Sequence, residues 1–158
     1  MLSTYDLLSI ILATFLGAAV GLERELSGKA AGLRTNLLIC LGATVFTIIS
    51  REMSIGTPEG SVTRIAAQIV TGVGFLGAGA IIQDRGGVHG LTTAATIWLV
   101  ASIGMACGAQ FYQLAAVSTC IAIFALLVLR KLEKSLQNYR NKNNSQNDTK
   151  DQQDKMLL

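Results

Sequence analysis

The chain has 158 residues, of which 51% are hydrophobic and 15% are charged. Soluble domains carry about 25% charged residues, so this composition favours a membrane protein over a soluble domain. The expected surroundings are a lipid bilayer, and no nucleic-acid partner is expected.

Runs without charged residues predict the membrane spans. The chain contains two such runs of 16 residues, one of 19 and one of 44, counting its single histidine as neutral. A helix needs about 20 apolar residues to cross the hydrocarbon core, so the longest run holds two spans. The sequence therefore predicts an all-α, polytopic bundle of about five transmembrane helices over residues 1–130. The predicted spans are Leu7–Leu22, Thr35–Ser50, Ile65–Gln83, Leu91–Ala106 and Phe111–Leu129.

Lysine and arginine residues predict the orientation. With five spans, the first and third loops share a side with the C-terminus. That side carries all of the 13 Lys and Arg residues except Arg51 and Arg64. The positive-inside bias places it in the cytoplasm, with the N-terminus outside. Residues 131–158 form a polar tail with little to bury, which we expect to be largely disordered.

The first two spans are short for a membrane helix. A 16-residue helix covers about 24 Å of a hydrocarbon core about 30 Å thick. The charged flanks Glu23, Arg24, Glu25 and Arg34 must therefore lie near the membrane interface. Two interpretations stay open: an ordinary interfacial ion cluster, or a polar site at the cytoplasmic mouth of the bundle.

Glycines are concentrated in the first and third spans. Gly17 and Gly21 have the four-residue spacing that lets membrane helices approach closely. The third span has four glycines within residues 72–79, which indicates either close helix packing or a broken helix lining a polar cavity. Asp84 follows Gly77 by seven residues and so shares its helix face.

Small polar residues open the fourth span. Thr92 and Thr93 follow Gly90-Leu91, where a threonine can cap the helix start. Thr92 and Thr96 lie one turn apart, where their hydroxyl groups can bond to another helix. His89 is either a loop residue or a pH sensor. The three cysteines lie in apolar stretches without metal-ligand spacing, so no cofactor is expected and the identity of any metal stays unknown.

The sequence also matches itself weakly when shifted by 58 residues. Eight of the 28 positions in residues 16–43 match, most clearly where Gly-Leu-x-Thr opens both the second and fourth spans. If the match reflects a repeat, the first two spans form a hairpin that the next two repeat in parallel orientation.

Four motifs in order resemble the MgtC/SapB family of bacterial inner-membrane proteins. They are GLERE at 21–25, AGLRTN at 31–36, GVGFLGAG at 72–79 and GLTTAAT at 90–96. The resemblance implies a helical domain in the bacterial plasma membrane. It also implies roles in low-magnesium, acid or phosphate stress and in virulence, with the proton-driven ATP synthase as a partner. The chain looks like a short form, because only 29 residues follow Leu129 in place of a soluble domain.

The leading hypothesis is a non-enzymatic protein that modulates ion homeostasis, membrane potential or stress adaptation by binding another membrane complex or as a small homo-oligomer. The alternative is a transporter or channel for Mg²⁺ or another cation. An intramembrane enzyme is disfavoured, because no nucleophile–base pair or HExxH motif is present. The predicted polar centre comprises Glu23, Arg24, Glu25, Arg34, Thr35, Asp84, Thr92 and Thr93. The predicted packing residues are Gly17, Gly21, Gly74, Gly77 and Gly79.

Overall fold

The computed structural model describes residues 3–55, 62–84 and 87–131, with the side chains of residues 62–65 and 84 outside that description. Its described residues up to Ile123 form one compact unit, and those from Phe124 onward belong to a second. The predicted tail therefore lies almost wholly outside the described residues. In chain order the elements are α1 (Thr4–Leu26), α2 (Leu33–Met53), α3 (Val62–Gly79), β1 (Ile82–Asp84), β2 (Gly87–His89), α4 (Leu91–Gly108) and α5 (Tyr112–Lys131).

The predicted fold class is confirmed. The described residues contain five helices, and four of them (α1, α2, α4 and α5) are long and apolar enough to cross a membrane. Within α3 the apolar segment is shorter, Ala66–Gly79. The chain is thus a multi-pass, helical membrane protein.

The prediction that the first two spans are short is wrong. The first helix, α1, has 23 residues and α2 has 21, because charged residues at the ends of both helices continue the helix. At 1.5 Å per residue, 23 residues extend about 34 Å, enough for the hydrocarbon core. A capping box starts α1: the Ser3 hydroxyl accepts from the Asp6 backbone N–H at 3.1 Å, and the Asp6 carboxylate accepts from the Ser3 N–H at 3.0 Å.

Glycines set the distance between α1 and α2. A Cβ added at Gly17 would lie 2.6 Å from the Cys40 Cβ, and one added at Gly21 would lie 2.8 Å from the Leu33 Cα. Real Cβ atoms do not approach that closely, so only glycine permits this contact between the two helices.

A second glycine pair, which the sequence analysis did not identify, joins α4 to α2. A Cβ at Gly104 would collide with the Cys40 carbonyl oxygen, and one at Gly108 would lie 2.6 Å from the Thr44 carbonyl oxygen. The Thr44 hydroxyl also donates to the Gly104 carbonyl at 2.8 Å. Helices α1, α2 and α4 therefore form a closely packed three-helix core.

An ion pair fastens one end of this core. Arg51, near the end of α2, pairs with Asp6 in the first turn of α1 and donates to the Gly108 carbonyl of α4 at 3.1 Å. Asp6 is 2% exposed, and its other oxygen accepts from the Ser3 hydroxyl at 2.9 Å. The start of α5 adds a contact at the same end, where the Tyr112 hydroxyl donates to the Tyr5 carbonyl at 3.0 Å.

The third helix packs more loosely. It is continuous from Val62 to Gly79, so its glycines do not break it. Ile69 and Val73 join a small apolar cluster with α2 and α4. The helix ends four residues before the predicted Gln83, and the chain forms an antiparallel pair of short strands, with Ile82 opposite His89.

The parallel hairpin repeat stays a prediction. Helices α2 and α4 each begin at the leucine that follows an N-cap glycine, Gly32 or Gly90. Those glycines differ in conformation, with φ of −77° and +88°, and the segments before them differ too.

We expect Gly104→Ala to destabilise the protein. Its Cβ would collide with the Cys40 carbonyl, and overpacking typically costs about 1–3 kcal/mol. Thermal unfolding of the purified protein in detergent measures this effect. Gly74→Ala is the matched control, because no described atom lies within 4 Å of a Cβ there. Equal melting temperatures for the two variants would contradict the assigned α2–α4 contact.

Arg51→Gln should also lower stability, by about 1.5–3 kcal/mol, because it removes a charged hydrogen-bond partner from the buried Asp6. The Asp6→Asn/Arg51→Gln double variant should lose less than the sum of the two single variants. Strict additivity in the same unfolding assay would show that the two side chains do not interact.

Candidate functional site

Most of the predicted polar residues lie at the other end of the core, where α1 ends and α2 and α4 begin. Among them, Arg24 of α1 and Thr93 of α4 come into contact although they are far apart in sequence. At this end, three buried polar atoms have no hydrogen-bond partner among the described residues: one oxygen of Glu23, the Nε of Arg24 and the Oδ1 of Asn36.

Arg24 is the most deeply buried cation at this end, with 2% of its surface exposed. It lies in the last turn of α1, where a positive charge is favoured by the helix dipole. Its Nη2 donates to the hydroxyl of Thr93 in α4 at 2.7 Å. Two residues predicted from separate motifs are therefore in direct contact across 69 positions of sequence.

Glu23 is also buried, at 8% exposure, but it points to another side of α1 than Arg24. One carboxylate oxygen accepts from the Ser27 hydroxyl at 2.6 Å, and the other has no partner among the described residues. No ion pair joins Glu23 to Arg24 in the part of the chain that the structure describes. The two adjacent charges thus each retain an unused polar atom.

Asn36 is a member of this centre that the sequence analysis did not select. It is fully buried in the first turn of α2, opposite Gly21. Its amide nitrogen donates to the Ala31 carbonyl and, at 2.9 Å, to the Gly32 carbonyl. These bonds assign the nitrogen and so leave the amide oxygen as the unpartnered acceptor. The sequence feature that could have identified Asn36 is its place in the AGLRTN motif, four residues after Gly32.

The other predicted residues on α1 and α2 lie outside the core. Glu25, Arg34 and Thr35 are exposed, and with Gly32 and Leu33 they line an open surface depression of about 490 Å³. The Glu25 carboxylate accepts from the Leu33 backbone N–H at 2.9 Å and so caps the start of α2. This gives Glu25 a structural contact that is separate from the buried centre.

The remaining predicted site residues are dispersed. Thr92 is exposed in the first turn of α4, and the side chain of Asp84 lies outside the described residues. Gly77 packs on Ala94, with 3.8 Å between an added Cβ and the Ala94 Cβ. Gly74 and Gly79 face open space, with no described atom within 4 Å of an added Cβ.

The arrangement has the chemistry of a buried hydrogen-bonding centre. It offers two acceptors and one donor beyond those already used, which bound water or a partner group can satisfy. Among the described residues, no group of three or more His, Cys, Asp or Glu side chains is placed to hold a metal ion.

Comparison with known proteins gives one consistent result. The MgtC family profile matches residues 10–135. Protein MgtC of Salmonella typhimurium is 45% identical over 125 residues, which cover 79% of this chain and 52% of that protein. Protein MgtC of Brucella abortus is 48% identical over 117 residues, covering 73% of this chain and 48% of that protein. The chain therefore spans about half the length of the curated relatives it matches. No solved structure matches it.

Thr93→Val should destabilise the protein by about 1.5–3 kcal/mol, because the buried Arg24 guanidinium loses its acceptor. Thr93→Ser keeps the hydroxyl and should restore most of the stability. The exposed Thr92 in the same turn provides the control, and Thr92→Val should have a small effect in the same thermal assay. A loss of equal size at both positions would argue against a specific Arg24–Thr93 bond.

Proposed function

This chain belongs to the MgtC family, and on that premise we propose that it is a non-enzymatic protein of the bacterial plasma membrane that modulates ion homeostasis or membrane potential under stress. The stresses are low Mg²⁺ and acid, and the action is exerted through another membrane complex. The ATP synthase is the first candidate for that complex, as the family resemblance implies. The proposed orientation has the N-terminus outside and the C-terminus in the cytoplasm, as the positive-inside bias indicates.

This proposal rests on one observation. A buried polar centre lies at one end of a core in which glycines allow the helices to pack closely. Buried charges within membrane helices are costly, so their presence favours a functional role. Glu23 and Arg24 form no ion pair with one another among the described residues. One polar atom of each has no hydrogen-bond partner there. In this proposed orientation, the centre faces the cytoplasmic side of the membrane.

The close packing of α2 against α4 excludes one path for the alternative, a cation transporter or channel. A path for hydrated Mg²⁺ needs space, because Mg²⁺ dehydrates reluctantly and usually keeps several waters. At Gly104 and Gly108 even a single added methyl group would collide with the backbone of α2. A hydrated cation therefore does not fit between α2 and α4 at these contacts.

Glu23→Gln tests the centre in cells. In a strain that lacks the native protein, wild-type chain should restore growth at low Mg²⁺ or acid pH and change membrane potential, read with a potential-sensitive dye. The variant should lose most of that rescue, since it removes the carboxylate of a buried side chain but keeps its volume. Glu52→Gln is the control, because Glu52 is an exposed carboxylate at the opposite end of the core.

Membrane abundance and protease protection must be equal for the two variants, so that a failure to insert is detected. Full rescue by Glu23→Gln would show that the buried polar centre is not needed for the proposed function. Mg²⁺ uptake by the purified protein in liposomes, measured with an enclosed fluorescent indicator, would instead support the transport alternative.

A further inference from the structure

A cleft lies between α3 and α4, at the end of the core where Asp6 and Arg51 pair. It has a volume of about 550 Å³. The last two turns of α2 and the start of α5 complete its walls. None of its lining residues belongs to the buried polar centre, so the cleft is a separate site.

The cleft is polar mainly at one end. All three lining residues of α2 are polar: Thr47, Ser50 and Arg51. Ser102 of α4 is the other polar lining residue, and its hydroxyl donates to the Leu99 carbonyl at 2.7 Å, so that proton is already used. The remaining lining residues of α3, α4 and α5 are apolar. A matching occupant therefore has a polar group near Arg51 and hydrocarbon along the rest of its length.

The length of the cleft matches one leaflet of a bilayer. Its lining runs along α4 from Ala109 back to Trp98, a rise of about 16 Å at 1.5 Å per residue. Half of a hydrocarbon core about 30 Å thick is about 15 Å. Arg51 lies two residues before α2 ends at Met53, near the membrane interface. A lipid with its head group at Arg51 thus reaches Trp98 with its acyl chain.

Arg51 can bind an anionic head group and still keep its contacts in the core. Its Nη1 donates to the Gly108 carbonyl at 3.1 Å, and its Nη2 donates to Asp6. Its Nε makes no hydrogen bond among the described residues, and its side chain is 32% exposed. The contact with Glu52, at 3.3 Å, is an exposed pair that water screens. The guanidinium group therefore has a donor for a phosphate oxygen, a preferred partner of arginine.

We propose that this cleft binds a phospholipid, with the phosphate group on Arg51 and one acyl chain between α3 and α4. In the proposed orientation the lipid belongs to the outer leaflet. A lipid without phosphate would fill the apolar part equally well but would bring no anion to Arg51. This inference does not depend on the proposed function, because the cleft contains neither Glu23 nor Arg24.

Native mass spectrometry of protein purified in mild detergent tests whether the cleft is occupied. Wild-type protein should retain a bound phospholipid. Ala66→Phe should lose it, because Ala66 lines the cleft and a phenyl ring there fills the space for the acyl chain. Ala67→Phe is the matched control and should retain the lipid, because Ala67 is exposed and does not line the cleft. Circular dichroism detects misfolding of either variant.

A second measurement needs no substitution. Trp98 is the only tryptophan of the chain and lines the cleft, so its fluorescence reports on the acyl chain there. Wild-type protein is placed in phosphatidylcholine vesicles that contain a small fraction of a lipid with brominated acyl chains, which quench tryptophan. Brominated phosphatidylcholine should bind about ten-fold more tightly than brominated diacylglycerol, which has the same chains but cannot accept the charged hydrogen bond from Arg51.

Equal quenching by the two brominated lipids would overturn the proposal, because the phosphate group would then not select the occupant. Wild-type protein without bound phospholipid would overturn it as well, as would equal retention by Ala66→Phe and Ala67→Phe. A complex that contains a second polypeptide and no phospholipid would assign the cleft to a protein partner instead.

Discussion

The rest of the structure depends on how closely α1 and α4 approach α2. Gly17 and Gly21 allow one contact, and Gly104 and Gly108 allow the other. In a bilayer, lipid chains are as apolar as leucine, so helices associate through close van der Waals packing and hydrogen bonds. Backbone-to-backbone contact maximises both, as the Thr44 hydroxyl on the Gly104 carbonyl illustrates.

That spacing also sets the register of the polar groups. With α1 held against α2 at Gly21, Asn36 is enclosed between helices. With α4 held against α2 at Gly108, Thr93 lies within reach of Arg24, and Gly108 itself lies within reach of Arg51. The two ends of the core differ in whether their charged side chains are paired. The Asp6–Arg51 end has its charges paired, whereas the Glu23–Arg24 end keeps unpartnered atoms.

Sequence alone predicted the helical membrane fold, since charge-free runs and hydropathy depend only on local composition. Helix ends were predicted poorly, because each predicted span was ended at the first charged residue. Asp6 and Arg51 nevertheless lie within helices, where their side chains pair with one another. The strand pair before α4 was missed because it depends on pairing between two segments of three residues, in which Asp84 lies opposite Gly87.

For the site too, features that depend on local sequence were predicted, and contacts between distant residues were not. Arg24 and Thr93 were each chosen for chemistry and motif, but their contact depends on helix register, which composition does not contain. Asn36 was passed over because its importance comes from complete burial. Gly104 and Gly108 have the same four-residue spacing as Gly17 and Gly21, and that signal was present in the longest apolar run.

The ion pair between α1 and α2 has a consequence for the order in which the chain enters the membrane. A ribosome delivers α1 first, with Asp6 as an acidic side chain near the bilayer, and its counter-charge follows 45 residues later. Among the described residues, the α1–α2 hairpin is the smallest segment that contains both charges. The two helices therefore suit insertion as a pair. Helix α4 adds its contact later, when the Gly108 carbonyl accepts a hydrogen bond from Arg51.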